Sequence, residues 1–141
     1  IGICNVRVRH LKKCIEYNIT PQYIQIERHP LRTCEAELDF CREHNIKVMS
    51  YSPICQMDER LKHSEILQRL SLKYKKNIGQ IILRWHIDTG CIPVFMSKKP
   101  DRVRKNLDIF DFYLTEDEIN DISSLNTNYK LFLESWGCAG F

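Results

Sequence analysis

The run IGICNVRVRH (residues 1–10) decides between two folds. Ile1, Ile3 and Val6 surround the small Gly2 and Cys4, and Asn5 stands where a buried strand would end. A short β-branched run followed by a helical pattern opens a βα unit. The turn after it, NVRVRH, contains no glycine. A doubly wound nucleotide-binding sheet usually carries a Gly-rich turn at this place, so that the backbone can approach a pyrophosphate. Its absence moves the reading towards a parallel barrel.

Working outward, three further strands are expected at YIQIE (23–27), KVMSYS (47–52) and IPVFMS (92–97). Each is rich in β-branched or aromatic residues and ends in polar ones. A helical pattern follows every strand. Helices are expected over 10–17, 33–44, 64–75, 78–89, 100–107 and 116–125. Thr33 reads as an N-cap, with Cys34 and Cys41 on one apolar stripe of the helix behind it. Thr115 and Glu118 read as a capping box. Gly90 stops one helix, and Pro100 starts another.

The order βα-βα-βαα-βαα implies an α/β fold with a parallel sheet and right-handed crossovers. Polar residues at all four strand ends suit a barrel, whose site is assembled from several strands. Four strands make half of an eight-stranded barrel, and such a piece leaves two edges and an inner face open. The 141 residues are expected to form a single domain (1–141), with an irregular tail over 126–141.

Composition narrows the partners. A net charge of +3 is too weak to argue for nucleic acid, and no apolar run reaches the ~20 residues of a membrane span. Seven cysteines are scattered without metal-ligand spacing. Reduced thiols used as small core residues point to the cytoplasm. A disulfide or metal framework is the alternative. His29-Pro30 is expected to shape the turn after the second strand. His10, His44, His63 and His86 read as helix-surface or helix-end residues.

These segments in this order resemble the C-terminal half of an aldo-keto reductase, from its fifth strand onward. IGICNV is similar to that family's IGVSNF, and YIQIERHP to VNQVECHP. LDFCREHNIKVMSYSPI, GQIILRWHIDTG and FMSKKPDRVRKNLDIFDFYLTEDEINDISSLN match later family patterns at family-like spacing. The resemblance runs from Ile1 to about Asn126. It implies the C-terminal half, four βα units, of a TIM barrel. It also implies NADPH as cofactor, ahead of NADH.

The resemblance assigns roles to residues present here. Asn5 and Gln25, with Cys4 in place of the family's Ser, would fix a nicotinamide carboxamide, whose oxygen and NH2 a side-chain amide can both answer. Tyr51 would stack on the nicotinamide ring. The Ser52 hydroxyl and the Ile54 N–H fall in the loop that touches the pyrophosphate. In MSKKPDRVRKN (96–106), Ser97, Arg102 and Asn106 match the segment that holds an adenosine 2′-phosphate. Met96 replaces the usual Lys there, and Lys98 is the candidate substitute. The basic run beside a Pro-started helix is an anion site on physical grounds alone. Competing readings are an inner-barrel polar residue for Gln25, a turn residue for Asn5, a core aromatic for Tyr51 and a solvated basic face for Lys99 and Arg104.

The family's catalytic Asp, Tyr, Lys and His lie on four earlier strands, and no residue of this sequence matches them. The expectation is therefore a cofactor-binding half, truncated and without turnover of its own, that would act on a small-molecule carbonyl if a missing N-terminal half completed it. Rival readings are a half-barrel that self-associates and holds a nucleotide, and a truncated product without function. Trp136 and Phe141 are candidates for an apolar wall of the substrate pocket.

Overall fold

A computed structural model of the chain describes residues 1–132; Cys138, Trp136 and Phe141 lie outside the described residues. Four strands, β1 (Gly2–Cys4), β2 (Tyr23–Glu27), β3 (Lys47–Tyr51) and β4 (Cys91–Val94), form one sheet in sequence order. Every pairing is parallel. The helices are α1 (Val8–Glu16), α2 (Glu35–Glu43), α3 (Glu59–Lys62), α4 (Glu65–Tyr74), α5 (Ile78–Asp88), α6 (Pro100–Leu107) and α7 (Glu116–Ser123).

The register divides the sheet into two faces. Ile24 pairs with Val48 and Val48 with Cys91, so these side chains share one face. Ile26 and Ser50 continue that face, and all five are buried. Leu11 of α1, and Leu38 and Cys41 of α2, cover it. The opposite face carries Cys4, Gln25, Met49 and Ile92 in one row and Glu27, Tyr51 and Val94 in the next. On it Ile92 and Val94 remain 42% and 38% exposed. Nothing among the described residues plays the part that α1 and α2 play on the other side. A second core lies away from the sheet, where α3, α4, α5 and α7 enclose Leu67, Leu70, Ile81, Trp85 and Ile122.

Several boundaries differ from the sequence expectation, each for a local reason. β4 ends at Val94, because its one partner among the described residues, β3, ends at Tyr51 opposite Val94. Among these residues, 95–97 have no strand to pair with. Thr33 is not the N-cap of α2. Cys34 takes that place in the left-handed conformation (φ 52°), and its thiol donates to the Glu27 carbonyl at 3.4 Å. Cys34 still packs against the cluster that holds Leu38 and Cys41, as expected of that stripe, but from the N-cap rather than from within the helix. His86 is fully buried rather than on the helix surface, since α5 is enclosed from Gln80 to His86. The short helix α3, capped by the Asp58 carboxylate, has no apolar period to announce it.

Thr115 with Glu118 forms the expected capping box on α7. Two further caps were not anticipated: Ser64 caps α4, and Asn77 and Gln80 form a capping box on α5. Pro100 opens α6. Gly90, at φ 79°, ends α5 where a side chain would be strained. Among the described residues the six cysteines are free thiols, and Cys41, Cys55 and Cys91 are buried. No helix among these residues is long and apolar enough to cross a membrane.

Candidate functional site

The C-terminal ends of the strands gather the polar groups. Asn5 follows β1 in the left-handed region (φ 52°), which a short amide side chain tolerates better than most residues. Its backbone N–H donates to the Gln25 carbonyl at 2.8 Å, which ties it to β2. The Tyr51 hydroxyl at the end of β3 donates to Asn5 Oδ1 at 2.9 Å. Asn5, Gln25 and Tyr51 therefore meet at one edge of the open face, with Cys4 exposed beside Gln25. The Tyr51 ring lies 5.8 Å from that of Phe132, tilted by 58°.

Behind this edge a buried polar network fixes the loop after β3. The His86 ring sits against Trp85 on α5 and reaches three groups. Arg28 and the Ser50 hydroxyl approach Nδ1 at 2.9 and 3.0 Å, and Nε2 lies 3.0 Å from the Pro53 carbonyl. A guanidinium only donates and a carbonyl only accepts, so Nδ1 is the acceptor and Nε2 carries the proton. Burial first, and then the Arg28 charge, hold the His86 pKa well below the usual histidine value. Arg28 also donates to the Thr33 carbonyl at 2.9 Å and lies 3.8 Å over the Trp85 ring. The result is a neutral histidine that pins Pro53, between Ser52 and Ile54. Ser52 is left-handed (φ 49°), and its carbonyl accepts the Cys55 N–H at 2.8 Å, so a tight turn carries both expected loop residues.

The basic segment stands apart, after β4. The Ser97 hydroxyl accepts the Lys99 N–H at 3.2 Å and shapes the entry to α6. Lys98 and Arg102 are exposed, and Asn106 is half-buried on the last turn. Gln80 secures the far end of α6, donating to the carbonyls of Lys105 and Asp108 at 2.9 Å each.

A family model described as the aldo/keto reductase family matches residues 1–127. The chain belongs to the aldo/keto reductase family. It is 35% identical over 132 residues to methylglyoxal reductase DkgA of Escherichia coli K12, covering 93% of this chain and 48% of that protein. It is 33% identical to glyoxal reductase of Bacillus subtilis, over 93% of this chain and 47% of that one. An aldo-keto reductase of Bombyx mori, solved in complex with NADP, superposes with a TM-score of 0.90 at 33% identity, over 96% of this chain and 48% of that one. The chain spans about half the length of the curated relatives it matches. Its parallel α/β fold matches TIM-barrel reductases over that half.

The groups present suit a nicotinamide dinucleotide chemically. Donor and acceptor amides lie beside a partly exposed phenol ring, and a basic helix start suits a phosphate. Of the ten expected residues, Cys4, Asn5, Gln25 and Tyr51 are brought together. Ser52 and Ile54 share the turn after β3, whereas Ser97 and Lys98 on the β4–α6 connection and Arg102 and Asn106 on α6 form a separate group.

Two contributors in this aldo/keto reductase chain escaped the sequence reading. Glu27 ends β2 with its carboxylate buried. It accepts the N–H groups of Leu131 and Phe132 at 2.6 and 3.2 Å and pairs with His29 at 3.0 Å. Burial alone would raise its pKa, but the His29 bond and the two backbone N–H groups outweigh it and lower it. Glu27 thereby holds Phe132 against Tyr51. The His86 network is the other. Its one visible signal was Ser50, a polar residue in phase with Val48 on the core side of β3.

Proposed function

We propose that this chain is the cofactor-holding part of an NADPH-dependent carbonyl reductase. The observation that carries the reading is the meeting of Asn5, Gln25 and Tyr51 at the C-terminal edge of the open face, in a chain that matches reductases over half their length. In this reading Asn5 and Gln25 bind the carboxamide, the Tyr51 ring supports the nicotinamide, and the turn at Ser52 and Ile54 meets the pyrophosphate. Ser97, Lys98, Arg102 and Asn106 take the 2′-phosphate. Bound NADPH supplies the hydride for a small aldehyde or ketone, the substrate class in the names of the methylglyoxal and glyoxal reductases. The 141 residues hold no counterpart of the family's catalytic Asp, Tyr, Lys and His, so they do not reduce carbonyls alone. They correspond to the C-terminal half of the barrel, and their free thiols suit the cytoplasm.

Titration of the chain with NADPH and NADH tests this. NADPH is expected to bind more tightly, and Arg102→Ala to weaken NADPH by about tenfold with little change for NADH. Equal loss for both cofactors would remove the 2′-phosphate assignment. Carbonyl-dependent oxidation of NADPH by the chain alone would overturn its dependence on a first half.

The exposed Ile92 and Val94 on the open face favour a second reading. The sheet pairs with another copy or with a separate first half, and holds a nucleotide without chemistry.

A further inference from the structure

Glu27 ends β2, Tyr51 ends β3, and the two pair across the sheet. Their side chains therefore stand side by side on the open face. Glu27 is nevertheless only 6% exposed, while Tyr51 is partly open to solvent. Residues 131–132 lie against the Glu27 carboxylate, at the end of a segment that is fastened along its length. Asn126 Oδ1 accepts the N–H groups of Thr33 and Asn128 at 3.3 and 3.0 Å. The Leu31 carbonyl accepts those of Thr127 and Tyr129 at 3.1 and 3.0 Å. Arg60 of α3 lies 4.0 Å over the Tyr129 ring and is itself held by two 2.8 Å bonds to the Asp58 carboxylate.

Glu27 makes the last fastening, with both oxygens. Oε1 accepts His29 Nε2–H at 3.0 Å and the Leu131 N–H at 2.6 Å, and Oε2 accepts the Phe132 N–H at 3.2 Å. A carboxylate only accepts, so His29 Nε2 carries the proton. Bonds to an ionised acceptor are among the stronger ones, and they offset the hydration that the buried carboxylate loses.

The Tyr51 ring depends on such a neighbour. Its hydroxyl donates to Asn5 Oδ1 at 2.9 Å. That bond fixes the oxygen but not the plane of the ring, because the Cβ–Cγ axis of a tyrosine runs on through the phenol oxygen. Rotation about this axis leaves the bond intact, and the torsion has only a broad preference of its own. A contact at the ring itself selects the plane. Phe132 supplies one, with the two centroids 5.8 Å apart and the rings tilted by 58°.

We propose that Glu27 is a positioning residue for the nicotinamide: it holds the backbone of 131–132 so that the Phe132 ring sets the plane of Tyr51. This role rests on the reading above, in which the Tyr51 ring supports the nicotinamide. The carboxylate touches neither cofactor nor substrate and acts through Phe132 alone.

The test compares NADPH with adenosine 2′,5′-bisphosphate, which carries the 2′-phosphate but no nicotinamide, as ligands of the 141-residue chain. Glu27→Gln keeps the shape of the side chain but turns an NH2 onto one of its donors. It is expected to weaken NADPH by about tenfold and to leave the bisphosphate unchanged. Phe132→Ala is expected to act in the same direction, and it supplies the comparison if Glu27→Gln does not fold. Arg102→Ala should instead weaken both ligands. In the free chain, the Tyr51 ring resonances are expected to move in both the Glu27 and the Phe132 variants. Equal loss of both ligands in Glu27→Gln would make its role merely structural and overturn the proposal. Wild-type NADPH affinity in the two variants, or an unmoved Tyr51 ring, would overturn it while leaving the cofactor reading intact. Failure of the wild-type chain to bind NADPH would overturn both.

Discussion

At the scale of single residues, the buried histidine is the most consequential group. His86 is neutral in the folded chain and takes a proton once unfolded, because burial and Arg28 depress its folded pKa. The unfolded state then binds more protons below the ordinary histidine value of about 6.5, so stability present above that pH is lost as pH falls. Urea midpoints are expected to drop between pH 7 and pH 5. His86→Gln keeps a donor for Pro53 and an acceptor for Arg28 but cannot titrate, so its midpoint should vary less with pH. Parallel slopes would assign the dependence to other groups. Much at this scale was legible: Asn5, Gln25 and Tyr51 sit at strand ends, where polar residues are easy to notice. The Arg28–His86–Ser50 network was not, because its members come from α5, β3 and the connection after β2, and Ser50 alone interrupts an apolar pattern. Thr33 misled for a related reason. A hydroxyl before two glutamates is the usual N-cap signal, and only the left-handed turn at Cys34 displaces it.

At the scale of elements, α6 depends on α5. Gln80 belongs to the capping box of α5, and its side-chain NH2 also holds two carbonyls at the end of α6. Gln80→Ala should cost about 1–3 kcal/mol, since it strands buried partners on both helices. The expected signature is a lower urea midpoint with faster amide exchange over residues 105–108. A lower midpoint with unchanged exchange there would confine Gln80 to capping α5. The start of α6 was readable from Pro100 and the capping box of α7 from the spacing of Thr115 and Glu118, because both are local rules. The link between the two helices joins side chain to backbone across 25 residues, and no periodicity encodes it.

At the scale of the whole molecule, the sheet has one covered face and one open face. Exposed Tyr23, Ile92 and Val94, beside two sheet edges that no strand among the described residues pairs with, favour association. Size exclusion of the chain is expected to give a concentration-dependent shift towards dimer, reduced by Val94→Lys; a concentration-independent monomer would count against pairing through this face. The parallel architecture followed from the alternation of strand and helix, and the barrel from a turn without glycine. The open face was not legible as such, because a parallel strand with apolar residues on both faces reads as a near-continuous run that singles out neither. The sheet order has a kinetic meaning too. Each strand pairs with the one made just before it, Tyr23 with Gly2, Lys47 with Tyr23 and Cys91 with Val48. As the polypeptide leaves the ribosome, each of β2, β3 and β4 finds its template already outside the tunnel, and none of these three pairings waits for a later segment. The sheet can grow in the direction of translation, one βα unit at a time.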